Sequence, residues 1–429
     1  MKILSNVLTS FLMNKNIKIY KKQKICLSYK SRYNRHKNKY VNKICFIFSL
    51  LIILIIIHTS FFLTSNNISY PNNKNYLKVK SFYELFNLNK QNSYNKKILI
   101  FEPNTYHHEC TPGYTKYFID LGYNVHILLH TNGIDSFCLF EEKDKVQFFV
   151  FEHLRLININ SEMLSSIIQK YDFVLLETTD PQKKKLYNKL GFYNMNNSIF
   201  VHHDLQNMGR EYSRYVNQNR IWTLANFQKV SFVNPHYFGD IKIKDKNKKT
   251  RFFVTSSLGR NYKFLLDVSQ RLKNEKFDFE IYITGRTSIF NSKKIYKNLE
   301  DIYFFKHKVN YSEFYNIIES SDFIILPLDP HSKYDNEYRK FRASGSIQLV
   351  YGFLKPVIIN EEFANIYFLD NRNSLLYNNN NFYEIMKKAI LLNNKEYKKI
   401  QNNIYLLEKE IYNISINNVK NTMKSIYGF

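Results

Sequence analysis

No aspartate or glutamate precedes Glu84, and the 429 residues contain neither a Gly-x-x-x-x-Gly-Lys phosphate loop nor a Gly-x-Gly-x-x-Gly fingerprint. Their absence argues against P-loop NTPases and dinucleotide-dependent dehydrogenases. Four cysteines, Cys26, Cys45, Cys110 and Cys138, do not make a disulfide framework, although Cys110 and Cys138 could pair in an oxidising compartment. No internal repeat is present. What is abundant is apolar and basic: hydrophobic residues make up 44% and aromatics 17%, enough for two ordinary cores. The formal net charge is +26, but twelve Lys and Arg lie between Lys2 and Lys43, ahead of any fold. The remaining charge lacks the interleaved aromatic and basic pattern of an RNA module, so no nucleic-acid partner is expected. An anionic substrate or membrane surface suffices.

Ile44 to Leu63 (ICFIFSLLIILIIIHTSFFL) is almost wholly apolar, and about twenty such residues match a hydrocarbon core of roughly 30 Å. The basic tail before it and the sparse Lys74, Lys78 and Lys80 after it predict a cytosolic N-terminus. The expectation is a single-pass type II membrane protein, its large C-terminal part in the lumen of the endoplasmic reticulum or Golgi. A buried core helix and an organellar presequence are the alternatives. Asn67, Asn196, Asn310 and Asn413 would be glycan acceptors in that compartment, and in so Asn-rich a chain they also arise by chance.

Beyond a polar stem the chain alternates short apolar runs with amphipathic stretches. Strands are expected at 97–101, 124–129, 147–151, 173–177, 198–202 and 230–233, with helices at 113–121 and 161–170. The polar run KIKDKNKKT (242–250) interrupts the rhythm, which resumes with strands at 252–255, 279–284, 302–305, 323–327 and 357–360. Helices at 262–272, 312–320 and 346–353 accompany these, and an amphipathic tail with Asn-rich breaks ends the chain. The organisation predicted is a basic tail (1–43), a membrane helix (44–64) and a stem (65–95). A first Rossmann-like domain (96–245), a second Rossmann-like domain (250–380) and C-terminal helices (381–429) follow. The fold class is α/β, two doubly wound domains facing a cleft where strand carboxyl ends bind ligands.

Several clusters sit at predicted strand ends. Ser344-Gly345-Ser346 precedes a helix that Gly352 is expected to stop, and bare N–H groups at its positive dipole end suit a phosphate. Gly259-Arg260-Asn261-Tyr262-Lys263 follows a strand; Arg260 can grip phosphate in bidentate fashion and Lys263 adds a point charge. Gly285-Arg286 is similar. Each could equally be a solvated βα turn. In the first half, His107-His108-Glu109-Cys110 and His202-His203-Asp204 follow strands of one sheet and converge on the cleft. His108, Glu109, His203 and Asp204 are candidates for acceptor binding and proton handling, with one His of each pair expected to pack or cap. Glu177 is a third candidate. The same clusters could supply three zinc ligands, but neither has a recognised spacing.

Taken in order, Gly259–Lys263, Ser321-Asp322-Phe323-Ile324-Ile325-Leu326-Pro327 and Ser344–Pro356 resemble the second domain of GT-B glycosyltransferases. The likeness is to the family-4 retaining group, in a divergent form. It covers roughly 250–380 well and 97–240 more loosely. It implies a membrane-anchored hexosyltransferase-like enzyme moving sugar from a nucleotide-diphosphate donor to a hydroxyl on a glycan, lipid or protein. No cofactor and no obligatory metal is expected, and the lack of any Asp-x-Asp motif argues against the metal-chelating GT-A type. By the resemblance, the first domain (96–245) takes the acceptor and the second (250–380) the nucleotide sugar, Arg260 and Lys263 neutralise the diphosphate, and Ser344, Gly345 and Ser346 donate to it. That group often carries two glutamates seven residues apart. Here Gln348 and Leu349 occupy the position of the second, and Glu337 is the nearest upstream carboxylate. A divergent branch or an inactive relative would both explain this. Metal-dependent hydrolysis and non-catalytic polyanion binding are the rival functions.

Overall fold

The computed structural model describes residues 79–81, 96–151, 161–179, 187–188, 190–206, 208, 212–227, 230–255, 262–284, 301–304, 309–378 and 380–427. The basic tail, the apolar run 44–63, Gly259, Arg260, Gly285 and Arg286 lie outside them. Among the described residues no helix is long and apolar enough to cross a membrane.

The first sheet is built from β1 (Val79–Ser81), β2 (Lys97–Glu102), β3 (Asn124–His130), β4 (Val146–Phe151), β5 (Phe173–Leu176), β6 (Ser198–Val201), β7 (Ile221–Thr223) and β8 (Ser231–Phe232). Helices α1 (Thr111–Asp120), α2 (Ser161–Ile168) and α3 (Ser213–Asn217) connect them. All pairs are parallel, in the order β1-β4-β3-β2-β5-β6-β7-β8. Such a sheet must be covered on both faces, and β5 and β6 are buried throughout. The strand order reverses between β2 and β5, which opens a crevice outside their carboxyl ends.

The second sheet holds β9 (Thr250–Thr255), β10 (Phe279–Thr284), β11 (Ile302–Phe304), β12 (Phe323–Leu326), β13 (Val357–Asn360) and β14 (Ser374–Tyr377). With them come α4 (Lys263–Asn274), α5 (Tyr311–Ser320), α6 (Lys333–Asn336), α7 (Ile347–Gly352), α8 (Glu361–Ala364), α9 (Phe382–Leu391) and α10 (Asn394–Tyr427). Its order is β11-β10-β9-β12-β13-β14, also parallel, with the switch between β9 and β12. The two-sheet α/β architecture is the one expected.

Four local expectations need correction. The stem contributes an edge strand, since β1 pairs with β4. Strands β7 and β14 were not foreseen, being short and polar at one end. The Asn-rich tail breaks once, at Leu392–Asn393 between α9 and α10; beyond that α10 runs for 34 residues, about 50 Å, because buried Tyr397, Gln401, Ile404, Leu407, Ile411, Ser415 and Val419 keep one face apolar or bonded. Gly352 is not a left-handed helix stop, a role taken by Leu354 at φ 51°. Gly352 is needed because a Cβ there would overlap the His236 carbonyl oxygen.

Helix α10 also joins the halves. Thr422 accepts from the Trp222 indole at 2.9 Å, Ser415 accepts the Asn234 amide at 3.1 Å, and Asn418 donates to the Phe232 carbonyl at 2.8 Å. Phe238, Tyr315, Tyr351 and Phe353 carry one apolar core from the first sheet to the second.

Candidate active site

The site forms where the two reversal points face each other. Strand β2 ends at Glu102 and leads into the loop 103–110, which a short 3₁₀ turn (His108–Cys110) delivers to α1. Pro112 opens that helix, and Gly113 is forced by the Pro235 backbone, which a Cβ would strike. His107 adopts φ 69°, ψ 11°, a left-handed conformation uncommon outside glycine. This turns its ring toward His203, with ring centroids 4.4 Å apart. Nδ1 of His107 lies 3.4 Å from Oε1 of Glu109.

Glu109 is held from both domains. Its Oε2 accepts the Tyr311 hydroxyl at 2.9 Å, and a Cβ on Gly345 would lie 4.0 Å from its Oε1. Burial pushes the Glu109 carboxyl up, but the bond to and charge of His107, together with the Tyr311 hydroxyl, outweigh it and bring it down to about 2. Burial likewise lowers the His107 imidazole, and Glu109 and Glu102 more than reverse this, so its net shift is upward. His203 is driven well below its usual value by burial and by the neighbouring His107, leaving a neutral ring. Below the dyad, burial raises Glu102 to about 7 and Glu177 well above the carboxylate range, the latter helped by the charge of Glu102.

The other histidine of each pair packs. His108 is fully buried, with Nε2 2.9 Å from the Asn104 carbonyl and its ring against Gly133, where a Cβ would collide. His202 meets the Tyr212 ring at 4.3 Å, and burial takes it to about 3. Asp204 pairs through its backbone with Arg342 in a two-residue antiparallel bridge that ties the domains together. Leu205 N–H donates to the Phe341 carbonyl at 2.8 Å, and Ala343 N–H to the His203 carbonyl at 2.9 Å. Glu337 accepts from Arg342 at 3.1 Å, while Arg342 lies 4.7 Å above the Tyr334 ring.

On the second domain, the Ser344 amide donates to the Tyr367 hydroxyl at 3.2 Å and the Ser346 amide to Ser344 Oγ at 3.4 Å. Two of the three amides expected to seat a phosphate are therefore engaged. Ser346 Oγ bonds Thr255 Oγ1, at the end of β9. That contact places the carboxyl end of β9 beside this corner. Lys263 is three-quarters exposed and pairs with Asp267 one turn on, at 3.0 Å. Gln348, in the expected glutamate position, donates to Cys110 Sγ at 3.2 Å. Cys110 and Cys138 are both free thiols. Among the described residues no three His, Cys, Asp or Glu side chains gather in a way that could hold a metal. Reading the sequence favoured His108 over His107 and missed Arg342 and Tyr311. The left-handed backbone that exposes His107 leaves no sequence mark, and Arg342 and Tyr311 lie in no motif.

No protein-family description and no curated protein matches the chain. Solved structures do. A glycosyltransferase from Rickettsia africae ESF-5 is 15% identical, with 78% of this chain and 99% of that one aligned at a TM-score of 0.51. A TarM mutant from S. aureus, in complex with Fondaparinux, alpha-GlcNAc-glycerol and UDP, is 9% identical over 77% and 99% at 0.50. Anabaena HepE in complex with UDP-glucose is 12% identical over 76% and 98% at 0.48. At these identities the likeness concerns architecture alone: the chain has the two-domain GT-B fold.

Proposed function

We propose that this chain is a glycosyltransferase that moves a sugar from a nucleotide-diphosphate donor to an acceptor hydroxyl. The observation that carries the reading is the His107–Glu109 dyad standing across the cleft from Gly345, with Glu109 tied to Tyr311 of the second domain. Glu109 at Nδ1 orients the ring and stabilises the imidazolium, so that Nε2 of His107 can take a proton from the acceptor. The acceptor oxygen bonds to the anomeric carbon as the bond from that carbon to the diphosphate oxygen breaks. The electron pair leaves on the diphosphate and the proton stays on His107. Arg342, which bears electrostatically on His107, would meet the developing charge. Gly259, Arg260, Gly285 and Arg286, together with the Ser344–Ser346 corner, complete the donor reading from sequence, whereas Lys263 is turned to Asp267. The UDP bound in the TarM structure supports a nucleotide donor on this fold.

The acceptor class is a glycan, lipid or protein hydroxyl. The apolar run 44–63 and the basic tail before it support anchoring as a type II membrane protein in the endoplasmic reticulum or Golgi, a reading that rests on sequence alone. The test is a panel of UDP- and GDP-sugars screened by thermal shift on the full chain in detergent, followed by turnover of the hits. A donor that stabilises the wild type and is consumed by it, but not by His107→Ala, supports the reading. Failure of every donor to bind sinks it.

A further inference from the structure

Resting on that reading, we propose that Glu102 and Glu177 share one proton and act as a positioning pair. The pair clamps both ends of the His107–Glu109 loop while adding a single negative charge to the cleft floor. Strands β2 and β5 are parallel with Phe101 opposite Leu176. One more step of the register sets Glu102 opposite Glu177, about one strand spacing (~4.8 Å) apart and on the same face of the sheet. Both carboxyls are completely buried.

Each uses one oxygen to hold the loop. Glu102 Oε1 accepts the Asn104 amide N–H at 2.6 Å and its side-chain N–H at 2.7 Å, fixing the loop's start. Glu177 Oε2 accepts the Thr111 hydroxyl at 2.7 Å, fixing its end. The other oxygens, Glu102 Oε2 and Glu177 Oε1, are buried and make no well-formed hydrogen bond among the described residues, although the Thr178 hydroxyl lies close enough to bear on Glu102. Two ionised carboxylates so close, out of water, repel each other and leave two acceptors unmet. One proton cancels a charge and supplies the missing donor.

The titratable groups facing the pair are His107 and Glu109 from the loop, Cys110 and Tyr114 from the turn and α1, and His203 beside the Glu177 backbone. His107 already pairs with Glu109, so none is a spare cation for a second carboxylate. A dianionic floor would also repel the diphosphate that the proposed reaction brings in.

The experiment is infrared difference spectroscopy on the full chain during a pH titration, with no substrate present. The expected result is a protonated-carboxyl carbonyl band at neutral pH, shifted by deuterium and lost in both Glu102→Gln and Glu177→Gln. Either variant leaves one carboxylate that accepts from the new amide. Absence of the band in the wild type at neutral pH, or its survival in both variants, overturns the inference, and the wild-type titration decides even if a variant does not fold. A second readout separates positioning from mere packing. The donor KM of the wild type should rise about tenfold between pH 7 and 9 at nearly constant kcat, and that rise should vanish in Glu177→Gln. A rise that persists in Glu177→Gln overturns the inference. A band that behaves as expected in a protein consuming no nucleotide sugar leaves the pair standing and removes the proposed reaction.

Discussion

The Tyr311 hydroxyl reaches across the cleft to donate to Glu109 Oε2 at 2.9 Å, joining residues 202 positions apart. The dyad is therefore completed only when the second domain is in place. Tyr311→Phe removes a hydrogen bond to a charged acceptor, worth about 1.5–3 kcal/mol. The expected outcome is a fall in kcat/KM of roughly tenfold to a hundredfold, with Glu109 titrating above about 2. Both are measurable, by steady-state kinetics and carboxyl NMR. An unchanged rate would remove Tyr311 from the site.

His107 and His108 are adjacent but should behave in opposite ways. His107→Ala removes a ring about one-third exposed, so turnover should drop by about 10²–10⁴-fold, with a loss of stability confined to the Glu109 pairing. His108→Ala empties a fully buried position packed on Gly133 and bonded to Asn104. That variant should lose roughly 2–4 kcal/mol of stability, read by denaturant titration. Equal loss of turnover from both, with stability intact, would contradict this division of roles.

The sheets were readable because buried parallel strands such as Phe323–Leu326 and Val357–Asn360 are unbroken apolar runs bounded by turn residues. Strands such as Ile221–Thr223 are too short to show a period, and they exist because neighbours already fix the ladder. The site was half legible. Strand-end clusters pointed to both His pairs, and the expectation that one ring of each would pack matches His108 and His202. Which ring faces the cleft depends on a single positive φ at His107, a tertiary decision. Arg342 was invisible for another reason: it lies in an irregular segment, and only the bridge to Asp204 carries it to the first domain.

Arg342 and Lys263 should differ as donor ligands. Arg342 is about one-quarter exposed, stacked over Tyr334 and paired with Glu337, hence preorganised. Arg342→Ala should weaken nucleotide-diphosphate binding by about tenfold or more, with Arg342→Lys only a partial rescue, since lysine lacks the planar fork. Lys263 points into solvent toward Asp267, and Lys263→Ala should change affinity by no more than about twofold. Calorimetric titration with the free nucleotide separates the two, and a reversed order would reject this geometry.

Stability should depend on pH through the Glu102–Glu177 pair and through Glu109, which are shifted in opposite directions. Glu102 is raised from 4.5 to about 7, so the folded state binds its proton more tightly than the unfolded chain. Its contribution is complete below about 4.5 and lost as pH rises through about 7, roughly 3 kcal/mol at most. Glu109 is lowered from 4.5 to about 2, so its contribution is present above 4.5 and lost as pH falls toward 2. The unfolding free energy should therefore decline between pH 5 and 8, and Glu102→Gln should flatten that limb while leaving the acid limb unchanged. A decline of undiminished size in Glu102→Gln would assign it elsewhere.

Two glycines near α7 give the last contrast, because one is required by packing and the other faces open space. A Cβ on Gly352 would overlap the His236 carbonyl and press on the Phe238 ring, where the halves share their core. The backbone cannot yield there without parting Phe238 from Phe353, so Gly352→Ala should cost about 1–3 kcal/mol or more. A Cβ on Gly345 meets nothing nearer than Glu109 Oε1 at 4.0 Å, and Gly345 has no positive φ to strain. Gly345→Ala should fold with wild-type stability, yet its methyl would intrude where the donor approaches the dyad. Thermal melts should move for Gly352→Ala alone and donor KM chiefly for Gly345→Ala. If Gly345→Ala leaves donor KM untouched, the reacting groups do not pass between Gly345 and Glu109, and the transfer site must be sought elsewhere along the cleft.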